Sequence, residues 1–479
     1  MNRRMVFYML GKIIFVEALL LTLPFAVSLI YKESCAWSFL ITIGIALAVG
    51  LILTVLSKPS TRLIYAKEGF VLVAIAWILM SLIGALPFTI SGEIPNYVDA
   101  IFETVSGFTT TGASILTNIE ALSHGTLFWR SFTHWVGGMG VLVFLVALLP
   151  SSSGDNMYLI KAESPGPSVS KMVPKVRSMA KILYLIYLGM TVLEFVLLKA
   201  GGMETFDSIT LTFGTAGTGG FAVRNSGFAD YTSYQQWVIT IFMILFGIDF
   251  SVYYLILMRK FKTAFRSVEV KTYLGIILLS ILVISLDCRH LYTSLSDNLR
   301  NTAFTVGSII TTTGYSTVDF DIWNSFSKTV IVGLMFIGAC AGSTGGGIKV
   351  SRIIILFKSI FKEIKVAVHP QRTVKITMNG RMVEHETVRA VNVYMASYIA
   401  IFALSLLLIS LDNFDFTTNF TAVSATLNNI GPGLAGVGPM ENFSKFSDLS
   451  KLVMTLNMII GRLEIFPILI LFSKSTWKR

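Results

Sequence analysis

The chain has 479 residues, 54% of them hydrophobic and 14% charged, and it carries 38 Lys+Arg against 27 Asp+Glu for a net charge of +11. With a mean hydropathy of +0.72, this composition excludes an ordinary soluble domain, whose surface must be largely wet and charged. The basic excess, with no stripe of Lys and Arg interleaved with exposed aromatics, fits the cytoplasmic loops of a polytopic membrane protein and not a nucleic-acid face.

Spanning the hydrocarbon core takes roughly 20 apolar residues in a helix. Runs of that kind occur at 10–31, 36–57, 69–91, 127–150, 179–200, 233–258, 272–288, 327–361, 391–411 and 449–473, which predicts ten spans in an all-α membrane protein. The first run lacks a small-residue cleavage site and is read as a retained helix. Arg3, Arg4 and Lys12 flank it. Lys58, Arg62 and Lys67 follow the second, Lys161, Lys171, Lys175 and Arg177 precede the fifth, and Arg259, Lys260, Lys262, Arg266 and Lys271 follow the sixth. Lys358, Lys362, Lys365, Arg372, Lys375 and Arg381 follow the eighth, and Lys474, Lys478 and Arg479 close the chain. All fall on one side if both termini are cytoplasmic, while Glu93, Asp99, Glu103, Asp207, Asp319, Asp321, Asp412 and Asp415 fall on the other.

Four outer loops share a further pattern. Each holds a stretch too short to span, at 97–109, 204–215, 298–310 and 415–427, followed by a Gly. Gly112, Gly219, Gly314 and Gly431 recur at intervals of about one hundred residues, which is the signature of an internal repeat. The stretches read as half-helices that enter from outside and stop within the membrane. Such segments survive in a bilayer only where protein or a water-filled cavity satisfies their backbone groups. Four like-oriented copies predict re-entrant loops in a pseudo-fourfold arrangement around an axial pore. Helix C-termini carry partial negative charge, and a ring of carbonyls can replace the hydration shell of a monovalent cation. No Asp or Glu lies in the loop tips, which disfavours a carboxylate filter.

These residues carry a resemblance. Thr-Thr-Gly-Ala-Ser at 110–114, Thr-Gly-Gly-Phe at 218–221, Thr-Thr-Gly-Tyr at 312–315, Asn-Asn-Ile-Gly-Pro-Gly at 428–433, Gly-Ser-Thr-Gly-Gly-Gly-Ile-Lys at 342–349 and Trp-Val-Gly-Gly-Met-Gly at 135–140 resemble the Trk/Ktr/HKT superfamily of potassium transporters. The two extra N-terminal spans resemble its bacterial TrkH branch. The resemblance implies potassium uptake through the cell membrane, with no enzymatic activity, no organic cofactor and no nucleic-acid partner. It divides the chain into two N-terminal helices at 1–67 and four helix–loop–helix repeats at 68–178, 179–271, 272–385 and 386–479. The third repeat holds an intramembrane gating loop and a basic cytosolic segment. It implies a potassium filter from Thr110, Thr111, Gly112, Thr218, Gly219, Gly220, Thr312, Thr313, Gly314, Asn429, Ile430 and Gly431. It implies a gate from Gly342, Ser343, Thr344, Gly345, Gly346, Gly347, Lys349 and Arg462. It also implies a lipid-embedded homodimer with a cytosolic nucleotide-binding regulatory subunit of the RCK type, TrkA-like. Sodium-favouring plant members carry Ser at the first filter glycine, so Gly112 points to potassium. The family pattern has Asn where this chain has Asp249, leaving that acid either near the permeation path or packed on a neighbour.

Four further features lie within the spans. A central Arg costs roughly 2.5–3.5 kcal/mol on insertion scales, so Arg462 either pairs with Glu464 or loop carbonyls, or acts on the gate beneath the filter; both can hold. Gly345-Gly346-Gly347 is either a packing kink or an unwound mobile loop, since each Gly costs about 1 kcal/mol in a helix. Glu17 is either paired in the bundle or snorkelled to the interface, and His134 reads as a packing residue. Nine Lys/Arg between 349 and 389 serve either as a topology signal or as part of a docking face. Cys35, Cys288 and Cys340 are too far apart in sequence to suggest a metal or disulfide motif. The alternatives to a potassium-conducting subunit are a cation-coupled secondary transporter with broken helices and a Ktr-type sodium-dependent potassium transporter. No HExxH, Walker-type loop or nucleophile motif speaks for an enzyme.

Overall fold

The computed structural model describes residues 1–59, 65–140, 176–371 and 373–477. The readings placed on Arg62, Lys161, Lys171, Lys175, Arg372, Lys478, Arg479, the Arg177 side chain and the end of the 127–150 span lie outside the described residues. Among those residues the chain is mostly helical. Six helices are long and apolar enough to cross a membrane, or up to eight if each of two bent pairs counts as one span. The N-terminal helices are α1 (Arg3–Leu20), α2 (Thr22–Ile30) and α3 (Ala36–Leu56). The surface they present is apolar: Leu40, Ile41, Leu51, Ile52 and Val55 of α3 are all exposed, while Phe39, Thr42 and Ala46 are buried. Water does not favour a helix with that outer face; hydrocarbon does.

Four helical units follow. The first comprises α4 (Ala66–Gly84), α5 (Leu86–Ser91), α6 (Tyr97–Phe108) and α7 (His124–Gly138). The second comprises α8 (Val176–Ala200), α9 (Thr205–Gly217), α10 (Ser233–Phe246), α11 (Phe250–Leu257) and the short α12 (Phe261–Ala264). The third comprises α13 (Val268–Asp287), α14 (Leu295–Ile310), α15 (Ser325–Phe336) and α16 (Val350–Val368). A small hairpin of β1 (Thr377–Met378) and β2 (Arg381–Met382) leads to the fourth, with α17 (His385–Ile409), α18 (Phe416–Asn428), α19 (Asp448–Arg462), α20 (Phe466–Phe472) and α21 (Lys474–Trp477).

The short member of each unit, α6, α9, α14 or α18, has 12 to 16 residues, a length of about 18–24 Å. These four are buried for most of their length and sheathed by the longer helices. Asn96, Ser294 and Asp415 cap α6, α14 and α18 through their side chains, supplying acceptors for first-turn N–H groups.

The predicted span 327–361 is not one helix. α15 stops at Phe336, and residues 337–349 run as irregular backbone before α16 begins. The predicted spans 233–258 and 449–473 are bent helix pairs, by 92° between α10 and α11 and by 120° between α19 and α20. The first bend has a cause: Phe246 and Gly247 at the break lend their carbonyls to the N–H groups of Thr344 and Cys340 in the irregular segment, at 3.4 and 3.0 Å. A helix kinks where another group enters its hydrogen-bond ladder.

Candidate functional site

The four short helices end alike. One residue after each, or one further in α6 and α14, the backbone turns left-handed: Thr110 at φ 55°, Thr218 at 55°, Thr312 at 61° and Asn429 at 57°. The next residue then donates back across the last turn: Thr111 to Ser106, Gly219 to Gly214, Thr313 to Ser308 and Ile430 to Ala425, at 2.8–3.0 Å. This is the Schellman closure, usually built on Gly. Three of the four left-handed residues are threonines, a β-branched type for which that conformation is a genuine outlier. The cost, roughly 1–2 kcal/mol each, is sustained at the three threonines; Asn429 adopts the conformation more readily.

A second left-handed residue follows two positions later, and it is always glycine: Gly112 at 79°, Gly220 at 80°, Gly314 at 85° and Gly431 at 98°. The structural equivalent of Gly112 is therefore Gly220, not Gly219, which corrects the register taken from the sequence. The Gly-Gly pair at 219–220 made the two indistinguishable in the sequence. Gly219 is glycine for another reason: a Cβ there would overlap the His134 imidazole, which fills the space behind the second loop, edge-on to Phe221 at 4.2 Å.

These glycines lock the loops together. A Cβ on Gly112 would overlap the carbonyl oxygen of Gly219, one on Gly220 that of Thr313, and one on Gly314 that of Ile430. A Cβ on Gly431 would lie 3.0 Å from the carbonyl oxygen of Thr111. Loop one thus leans on two, two on three, three on four and four on one, so the contacts close into a ring. Each contact demands glycine twice, for its positive φ and for the missing side chain. Within the ring, the main-chain oxygens at 110–112, 218–220, 312–314 and 429–431 accept no hydrogen bond from any described residue. Buried carbonyls are rarely left so.

The irregular 337–349 segment lies against this ring. The Gly346 N–H donates to Thr312 Oγ1 at 2.6 Å. A Cβ on Gly345 would lie 2.9 Å from the Thr311 carbonyl oxygen, and one on Gly346 2.7 Å from that of Asn428. Lys349, buried, turns back to donate to the carbonyls of Gly345 and Gly346. Arg462 donates through Nη1 to Thr344 O at 2.8 Å and through Nη2 to Gly137 O and Gly138 O at 2.6 and 2.9 Å. Of the partners its structural reading allowed, loop carbonyls are the ones it bonds, while Glu464 pairs with Arg352; action on the gate is a separate reading, compatible with these bonds. The three consecutive glycines 345–347 belong to unwound backbone and not to a helix kink.

Asp249 is the side-chain cap of α11, accepting from the Ser251 N–H at 2.9 Å, and it packs against Gly342, where a Cβ would lie 2.7 Å from Oδ1. Glu17 is fully buried and its carboxylate has no hydrogen-bond partner among the described residues, so it neither snorkels nor pairs. Sequence reading passed over three ion pairs: Glu103–Arg130, Asp99–Lys451 and Arg352–Glu464. The rule that singled out Arg462, a cation within an apolar run, applies equally to Arg130 and Arg352.

The family model for the TrkH cation transport proteins matches residues 37–478. This chain belongs to the TrkH family. The Trk system potassium uptake protein TrkH of Salmonella typhimurium is 35% identical over the whole of both chains, and TrkG of Escherichia coli is 32% identical over 99% of each. The crystal structure of the potassium transporter TrkH from Vibrio parahaemolyticus superimposes with a TM-score of 0.89 at 30% identity, covering both chains completely. TrkH membership and the multi-helix apolar architecture make the chain a membrane transporter, not an enzyme.

Proposed function

We propose that this chain is the potassium-conducting subunit of a Trk-type uptake system in the cell membrane. One observation carries the reading: a closed ring of four loops whose main-chain oxygens receive no donor from any described residue. Oxygens held in that state are suited to replace the water around a permeating cation. The four helices that end at the ring point their C-termini toward it, adding about half a negative charge each. Among the described residues no group of three His, Cys, Asp or Glu gathers, so the cation meets carbonyl and hydroxyl oxygens. Four glycines without a serine support potassium over sodium.

In this reading α6, α9, α14 and α18 are the helical arms of four re-entrant loops, and ten spans cross the membrane with both termini in the cytoplasm. The repeats run over 68–178, 179–271, 272–385 and 386–479, after two N-terminal helices in 1–67. Residues 342–349 form the gate, and a homodimer and an RCK-type, TrkA-like cytosolic subunit complete the system. The bent pair α10–α11 answers to residues 340 and 344 of the irregular segment that holds the gate rather than to a midplane substrate, which favours a gated pore over a broken-helix symporter. The test is cation flux into vesicles holding the purified protein, with potassium, rubidium, sodium and lithium at several membrane potentials. Potassium and rubidium should pass well ahead of sodium and lithium, driven by potential alone. Flux that requires a sodium or proton gradient, or equal passage of sodium, would overturn the proposal.

A further inference from the structure

The ring is fourfold in its glycines but not in what stands behind them. Glu103 lies in α6, seven residues before the left-handed Thr110; the matching positions in the other three helices are Leu211, Thr305 and Ala422. Its side chain is wholly buried, and that of its partner Arg130, in α7, is 2% exposed. The Glu103 carboxylate accepts from Arg130 Nε at 2.6 Å, from Ser114 Oγ at 2.9 and 3.1 Å, and from the Ile115 N–H at 3.0 Å. The Arg130 guanidinium spends its remaining reach on the second loop: Nη1 donates to Ala222 O at 2.8 Å, and the plane lies 3.6 Å from the Phe221 ring. Ser114 and Ile115 follow Gly112, and Phe221 and Ala222 follow Gly220. One buried ion pair thus grips the outgoing strands of two adjacent loops, just beyond the glycines that touch each other.

Burying such a pair costs several kcal/mol of desolvation per ion unless every lone pair and proton is met. Here the carboxylate has three donors, Arg130, Ser114 and the Ile115 N–H, and the guanidinium bridges charge, carbonyl and ring. A hydrophobic pair would have filled the space with less demand on geometry. What it would not supply is a fixed distance between loop one and loop two. The second-to-third contact is held differently, by Tyr315 Oη donating to Leu211 O at 3.0 Å. The fourth-to-first contact is held by Asn429 Nδ2 donating to Thr111 Oγ1 at 2.9 Å.

We propose that Glu103 and Arg130 are positioning residues for cation selectivity, setting the spacing of the first and second loops so that the ring discriminates against the smaller sodium ion. The inference rests on the filter reading above. Its test uses the full-length protein in vesicles and three variants. Glu103→Gln/Arg130→Gln removes both charges together and leaves no lone buried ion, so it keeps the best chance of folding. Arg130→Lys keeps the charge but puts one nitrogen in place of a planar fork, so it loses the fixed spacing between Glu103 and Ala222 and the stacking on Phe221. Gly112→Ser strikes the ring itself.

The expected result is a potassium-over-sodium flux ratio about tenfold lower in the double variant, which corresponds to about 1.4 kcal/mol. Arg130→Lys should fall between it and the native protein, with elution volume and melting temperature preserved. If the double variant does not fold, Arg130→Lys decides alone. A ratio unchanged in the pair variants while Gly112→Ser lowers it would overturn the positioning role and leave the filter standing. A ratio unchanged in all of them would bring down the filter reading and this inference with it.

Discussion

Replacing Arg462 with Ala tests the gate most directly. Arg462 makes one direct bond to the 337–349 segment, to Thr344 O at 2.8 Å, and two to Gly137 O and Gly138 O at the end of α7. It therefore ties the segment to the end of α7. A hydrogen bond to a charged group contributes about 1.5–3 kcal/mol, so losing the Thr344 bond alone should shift the closed-to-open ratio by about 10- to 100-fold. The segment keeps its other ties, from Thr312, Phe246, Gly247 and Glu269, which is why partial and not complete opening is expected. Loss of the positive charge also removes a Coulomb barrier that is strong where water is scarce. The assay is potassium-driven rubidium uptake into vesicles without any cytosolic partner. Basal uptake should rise by at least tenfold at saturating expression-matched protein, with the potassium-over-sodium ratio unchanged because the ring is untouched. A well-folded Arg462→Ala protein with native basal uptake would refute the argument that this segment is the barrier.

Thr312→Val keeps the shape of the side chain but removes the acceptor for the Gly346 N–H. A neutral bond of about 0.5–1.5 kcal/mol predicts a basal flux about 2- to 10-fold higher, read in the same vesicle assay. Neutralising Lys358, Lys362 and Lys365 together should abolish co-purification of the cytosolic regulatory subunit from native membranes; full retention would show that these lysines set topology only. Glu33 accepts the N–H groups of His124 and Gly125 at the start of α7, at 2.8 and 3.0 Å. Partial burial would raise its carboxyl, but those N–H groups and the His124 ring outweigh it and hold it below its ordinary value. A depressed carboxyl contributes stability above its unfolded value and loses it as pH falls through the folded one. Melting temperature should thus drop on acidification below about pH 4.5 in the native protein and less so in Glu33→Gln.

The periodic recurrence of Gly before outer spans was legible in the sequence because a backbone that must turn left-handed in a crowded place leaves little choice of residue. The three glycines at 345–347 marked a weak point in a helix through their low propensity, which left a kink and an unwound segment both open. The register of the second loop was not legible, since Gly219 and Gly220 satisfy opposite demands, one of space and one of dihedral angle, with the same residue. The breaks at Gly247 and Glu464 were hidden because the apolar runs resume directly beyond Asp249 and Glu464, and hydrophobicity reports burial in lipid, not helix continuity. Arg130 was hidden by its neighbours Trp129 and Phe132, which make the run read as an ordinary span. Its partner lies 27 residues away, and only the packing of α6 on α7 brings them together.

Because the four loops belong to one polypeptide, the corners of the ring need not be copies of one another. In an assembly of identical subunits a change at the pore appears four times, and its consequences are multiplied before they can be tested. Here a salt bridge stands behind one junction, a tyrosine hydroxyl behind the next and an asparagine amide behind the last, while a proline ring, Pro432, lies against Gly314 at the remaining one. Each junction can drift in strength by itself. On the proposed reading of the ring as a filter, such a fused pore acquires a graded preference among cations one quarter at a time, through residues that never touch the ion.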